Sequence, residues 1–188
     1  MKRKFRIGMI GGGKGSFIGA IHRMALQLDG MAILTAGAFS SRPEIAFESG
    51  KELLIANDRI YTDFKTMLHT EAQLSIDKRI EIISIVTPNH VHFEPAKMAL
   101  ELGFHVILEK PATFNLEEAK QLHEISLSTG KKLLLCHTYT GYPMVKEAKK
   151  IIASGMLGNI RKVYAEYPQG WLSTFLEKEN NAQASWRT

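Results

Sequence analysis

The sequence predicts a doubly wound parallel α/β sheet. Short apolar runs alternate with segments of helical spacing along most of the chain, and residues 80–86 are nearly continuous isoleucine and valine. A glycine-rich turn separates the first apolar run from the first helical pattern. Continuous apolar runs mark strands covered on both faces, and strand–helix alternation implies right-handed crossovers between parallel neighbours.

Residues 5–10 read as the first strand, and Phe17, Ile18, Ile21, Met24, Ala25 and Leu28 then recur at helical spacing. Residues 32–39 form a second strand, and a helix over 43–56 opens on Pro43, a residue suited to a first helical turn. The central strand over 80–86 is followed by a helix over 91–102 that stops at Gly103, and by a strand over 105–108. Asn115 and Glu118 form a capping-box pattern that opens a helix running to Gly130. A strand over 133–137 and a helix over 142–154 complete the alternation. Residues 160–167 then read as a strand of something new, and 169–188 are loose and polar. The expected division is a first domain over 1–138, with 139–188 as a crossover and the start of an incomplete α+β domain.

At 188 residues the chain can bury one good core. Its net charge of +5 is scattered rather than gathered on one face, which argues against a nucleic-acid partner. One cysteine, Cys136, excludes an internal disulfide framework and fits the cytoplasm; its apolar run suits a buried thiol better than a nucleophile. Met1–Lys4 resembles the basic start of a signal peptide, but Arg6 and the glycines break up the apolar stretch that such a peptide needs next. No stretch approaches a membrane span.

The glycine turn runs from Gly11 to Gly19 and leaves a strand to enter a helix, the setting of a dinucleotide-binding fingerprint. Gly11 can make the tight turn, and Gly13 lets the backbone approach a pyrophosphate, with Gly15, Ser16, Phe17 and Ile18 leading into the helix N-terminus. Counting G-x-G-x-x-G from Gly11 puts Ser16 in the last position, so Gly19 takes the close-packing role only if the loop is longer than usual. Gly8, Gly13 and Lys14 satisfy half of a P-loop, but Gly15 stands where its hydroxyl residue belongs, and Gly8 falls inside the strand. After the second strand, Ser40, Ser41 and Arg42 stand where NAD sites place an acidic residue. Two hydroxyls and a guanidinium suit a 2′-phosphate, so NADP is favoured, with Glu44 keeping NAD open.

Three further segments come after strands: Val86-Thr87-Pro88-Asn89-His90-Val91-His92, Glu109-Lys110-Pro111 and His137-Thr138-Tyr139-Thr140-Gly141-Tyr142-Pro143. All would lie on the sheet edge where open α/β folds bind ligands. Over essentially the whole chain, this set resembles the Gfo/Idh/MocA oxidoreductases, which include glucose–fructose oxidoreductase and inositol 2-dehydrogenase.

The resemblance implies a catalytic lysine, Lys110, lying between nicotinamide and substrate, with a cis Lys110–Pro111 bond. It places Thr87, Pro88 and Asn89 along the nicotinamide ribose, His92 close by, and Glu109 facing the cofactor. His137 and Tyr139 would border the substrate. His90 and His92 form an H-x-H pair, but no third ligand accompanies them and the family is metal-free, so no metal is expected. His22 reads as helix-face packing or loop support. The implied reaction is hydride transfer between NAD(P) and a secondary alcohol of a sugar, cyclitol or similar polyol, in a homo-oligomeric protein. Its general base would be a histidine four residues after an aspartate, beyond a Trp-Arg segment. Trp186-Arg187 are the penultimate residues here, so the chain is expected to be a fragment that binds cofactor and turns over little. The alternative is a non-catalytic, redox-sensing dinucleotide-binding module, for which a lysine at the nicotinamide would have no use.

Overall fold

The computed structural model describes residues 3–168 together with Gly170, Ser173 and Lys178. Five strands, β1 (Phe5–Gly11), β2 (Ala32–Ala38), β3 (Ile82–Val86), β4 (His105–Leu108) and β5 (Leu133–Leu135), form one sheet. All pair in parallel, in the order β2-β1-β3-β4-β5. The chain winds outward from β1 to β2, then returns to lay β3 on the other side of β1. This reversal between β1 and β3 is where a doubly wound sheet opens a crevice, and Gly11 faces Val86 across it.

Residue alternation divides the core between the two faces of the sheet. Ile10, Ile83, Ile85, Val106 and Leu108 pack with Met67 and Leu68 of α3 (Phe64–Gln73), with Ala96, Ala99 and Leu100 of α4 (Phe93–Glu101), and with Leu122 of α5 (Leu116–Thr129). Met9 and Val86 join Phe39, Ile55 and Ile60 in a second cluster, against which Ile18 of α1 (Ile18–Gln27) packs.

The sequence spacing places α1 correctly, but most of its apolar stripe does not mark the buried face. Phe17, Ile21, Met24 and Leu28 are exposed, while Gly19 and His22 are buried. The helix approaches the glycine turn too closely for large side chains, so a glycine and a hydrogen-bonded histidine form its inner face.

The second helix, α2 (Pro43–Glu52), starts at Pro43 as predicted but stops short of Ala56. Leu54 turns with a positive φ of 57°, which returns Ile55 to the second cluster. Helix α3 was not anticipated; Asp63 caps it by accepting the Thr66 N–H at 2.8 Å. At α5, Asn115 accepts the Glu118 N–H at 2.9 Å, while Glu118 accepts the Phe114 N–H at 3.0 Å, one residue earlier than an ideal capping box. Gly130 closes the helix in the left-handed region.

The strand expected over 160–167 is not formed. Those residues are exposed and pair with no strand among the described residues, and an extended run without a neighbour leaves its N–H and C=O groups to water. Most of the expectation over 169–188, including Trp186 and Arg187, lies outside the described residues.

The chain divides into two units, residues 1–140 and 141–188. The second contains α6 (Pro143–Ala153), again begun by a proline. No helix among the described residues is long and apolar enough to cross a membrane.

Candidate active site

Loops from the carboxyl ends of β1, β2 and β3 meet around a crevice of about 510 Å³. Gly11, Gly12, Gly13, Lys14 and Ser16 line it from the first loop, Phe39, Ser40, Ser41 and Arg42 from the second, and Thr87, Pro88, His90 and Val91 from the third. Thr62, Asp63 and Phe64, at the start of α3, close another side.

Backbone packing shapes the first loop. A Cβ on Gly19 would overlap the Gly12 backbone, and one on Gly13 would lie 2.7 Å from the Phe39 carbonyl oxygen. Gly19 therefore takes the close-packing role that Ser16 cannot. Arg23 of α1 donates to the Gly12 carbonyl at 2.6 Å and steadies the turn. No side chain caps α1, and its first turn carries no acidic residue. Its leading N–H groups and positive dipole end are thus left for an anion.

Lys14 is engaged differently from a P-loop lysine. Its ammonium pairs with Glu48 and Glu52 of α2, which raises the amine above its ordinary value, Glu48 contributing most. Its N–H donates to Ser49 Oγ at 2.9 Å, which ties the loop to α2. Gly8 lies within β1, where a Cβ would meet Met67 and Ile80. In the second loop, Ser40 Oγ accepts the Arg42 N–H at 3.1 Å. Ser41 and Arg42 are exposed on the crevice rim.

In the third loop, Thr87 Oγ1 is buried and has no hydrogen-bond partner. His92 is completely buried; its Nε2 lies 2.9 Å from the Thr87 carbonyl and its Nδ1 2.8 Å from the Pro111 carbonyl. The ring joins the Thr87 segment to the Lys110–Pro111 peptide, which is cis. With both nitrogens on backbone oxygens, His92 does not form a ligand pair with the exposed His90.

A second buried network lies beneath Lys110. His22 Nε2 is 2.8 Å from Glu109 Oε1, and His22 Nδ1 is 2.9 Å from Ser84 Oγ. The other Glu109 oxygen accepts the Lys110 N–H at 3.2 Å. Cys136 adjoins the pair: ligand atoms of His22, Glu109 and Cys136 all lie within 4.8 Å of one another. Burial, and then the Glu109 charge, push the Cys136 thiol up to about 11, so it carries its proton near neutrality. Both His22 nitrogens are already engaged, and the cluster reads as a hydrogen-bonded network rather than a metal-ligand set.

Of the residues singled out from sequence, Gly11, Gly13, Ser16, Ser40, Ser41, Arg42, Thr87 and Pro88 line the crevice. Gly15 and Phe17 are exposed at the loop tip, Ile18 is half-buried, and Asn89 begins a 3-10 turn, Asn89–Val91. Glu109 is buried and Lys110 exposed beyond the end of β4. His137 and Tyr139 are exposed beyond β5. None of these, nor His92, belongs to the crevice lining itself.

The residues present fit a dinucleotide on three counts: glycine backbone without Cβ atoms at the switch point, an uncapped helix N-terminus, and an orphaned buried hydroxyl at Thr87. The profile of an oxidoreductase family with an NAD-binding Rossmann fold matches residues 5–137. The chain belongs to the Gfo/Idh/MocA oxidoreductase family. It is 35% identical over 188 residues to the oxidoreductase YfiI of Bacillus subtilis, covering all of this chain and 47% of that protein. It is 30% identical over 192 residues to levoglucosan dehydrogenase of Pseudarthrobacter phenanthrenivorans, covering 98% of this chain and 45% of that one. Among solved structures, an inositol dehydrogenase homologue complexed with NAD+ from Azotobacter vinelandii superposes with a TM-score of 0.90 at 38% identity, covering 98% of this chain and 47% of the other. The chain thus spans about half the length of the curated relatives it matches.

Sequence reasoning overlooked Thr62, Asp63 and Phe64 because it missed α3. The signal was present: Asp63 precedes apolar residues at 64, 67, 68 and 72, an N-cap followed by a helical stripe. The partnership of His22 with Glu109 had no local signal, since 87 positions separate them.

Proposed function

We propose that this chain provides the NAD(P)-binding portion of a cytoplasmic oxidoreductase that transfers a hydride between nicotinamide and a secondary alcohol of a sugar, cyclitol or similar polyol. The observation that carries this reading is the arrangement of the sheet's carboxyl edge, where the glycine crevice, the unpartnered Thr87 hydroxyl and the Glu109–Lys110 peptide terminate β1, β3 and β4.

Gly11, Gly13, Gly15, Ser16, Phe17 and Ile18 carry the pyrophosphate-binding turn, and Thr87, Pro88 and Asn89 the nicotinamide ribose. The bound nicotinamide supplies the two-electron chemistry. Lys110, exposed beside it, holds the substrate hydroxyl, and His137 and Tyr139 border the substrate. Residues 1–138 form the cofactor domain, and 139–188 begin a substrate domain through which the intact protein assembles with its copies. A non-catalytic binder would have no use for an exposed lysine at this edge.

Ser40, Ser41 and Arg42 give the adenosine end hydroxyls and a cation suited to a 2′-phosphate, so NADP is the preferred cofactor. Fluorescence titration of the purified chain should show tighter binding of NADPH than of NADH. Arg42→Ala should reduce that preference about five- to tenfold, a charge-assisted contact discounted for exposure. Equal affinities, or a preference for NADH, would defeat the NADP assignment, and failure to bind either dinucleotide would defeat the whole reading.

A further inference from the structure

The geometry points to His22 as a positioning residue that sets the backbone of Lys110 through Glu109, linking the cofactor loop to the lysine. This rests on the assignment of Lys110 above. Glu109 is only 9% exposed, and a carboxylate so placed must find donors within the protein. Two are at hand: His22 Nε2 on one oxygen and the Lys110 N–H on the other. His22 is itself held from behind, since Nδ1 meets the hydroxyl of Ser84, a fully buried residue at the centre of β3. The Nε2–H therefore points at Glu109, and the carboxylate hands that orientation on to the peptide from which the Lys110 side chain departs.

The origin of His22 gives the network its function. It lies one turn after Gly19, the residue on which the glycine loop rests, and Arg23 beside it grips the Gly12 carbonyl. One short helix thus presents its N-terminus to the crevice and its first inward polar side chain to Glu109. Displacement of α1 at the loop is transmitted to the Lys110 peptide through two hydrogen bonds. Ile21 and Met24 of α1 are outward, while Gly19 and His22 are its buried residues, so the inner face of this helix serves these contacts.

The test uses the protein itself and does not depend on turnover. An asparagine amide reproduces the Nδ1 position of histidine and a glutamine amide the Nε2 position, so His22→Asn keeps the Ser84 contact and loses Glu109, whereas His22→Gln retains a donor toward Glu109. Amide hydrogen exchange followed by NMR should show the Lys110 N–H exchanging about tenfold faster in His22→Asn, the equivalent of one lost hydrogen bond, while core amides such as those of Ile83 and Val106 are unchanged. His22→Gln should restore the slow exchange. If His22→Asn proves globally destabilised, Ser84→Ala, which frees the back of the ring, should produce the same local acceleration in a smaller degree. Unchanged Lys110 exchange in His22→Asn and Ser84→Ala, or acceleration that His22→Gln does not reverse, overturns the proposal. A parallel NADPH titration keeps the outcomes separate: loss of the exchange effect with binding intact removes the positioning role alone, whereas absence of binding in the unaltered chain removes the functional reading.

Discussion

At the scale of the residue, the site depends on atoms that are absent as much as on those present. Gly19 has no Cβ because the Gly12 backbone occupies that space, and a methyl group there must push α1 off the loop. Gly19→Ala should therefore destabilise the protein by about 1–3 kcal/mol, the usual cost of overpacking, and weaken NADPH binding as well. Thermal unfolding and the fluorescence titration measure the two effects, and unchanged values in both would show that the helix–loop contact is slack. Gly19 was legible as a substitute for the glycine missing at position 16, because the pattern places a small residue at the start of the helix. The contacts of His92 were not legible in the same way, since both ring nitrogens meet backbone oxygens of two separated segments.

At the scale of the element, the local capping signal was reliable at α5. Asn115 satisfies the Glu118 N–H, and removal of that acceptor should cost about 1 kcal/mol. Urea denaturation of Asn115→Ala measures it; a loss below a few tenths would mean that the first turn of α5 is held by packing instead. Pro43 likewise opens its helix as the sequence predicts, and Pro143 opens α6 in the same way. Periodicity was less reliable about direction. It identified α1, but most of the apolar stripe that marks the helix is exposed, because spacing records where apolar residues lie on a helix and not what that helix must approach. It also suggested a strand over 160–167, where the described residues offer no neighbour to pair with.

At the scale of the molecule, the amino terminus of the sheet is fastened by charge. Arg3 and Arg6 converge on Glu81, which leads into β3. Burial alone would push the Glu81 carboxyl up, but the Arg3 side chain, the Arg6 N–H and the Arg6 charge together hold it below its ordinary range. The Thr66 N–H, foremost, does the same for Asp63 at the start of α3. A carboxyl lowered by folding contributes stability that is complete above its unfolded value, near 4, and fades as pH drops toward its folded one. The urea midpoint should accordingly hold from pH 7 to 5 and fall below about pH 4, less steeply in Glu81→Gln. An equally steep acid limb in that variant would show that the Arg3–Glu81–Arg6 cluster does not link pH to stability.

By itself, the sequence determined the strand–helix alternation, the parallel sheet, the glycine turn at its leading edge and the order of the Thr-Pro-Asn and Glu-Lys-Pro segments along the carboxyl edge. These arise from spacing, residue size and backbone freedom within short stretches of chain, and such stretches carry them unaided. Only the tertiary structure decided which face of α1 turns inward, that α3 contributes Asp63 to the crevice, and that His22, Ser84 and Glu109 meet. The last of these brings His22 together with groups 62 and 87 positions away, forced by sheet order and by the need to satisfy buried polar atoms, and no local pattern records such a constraint.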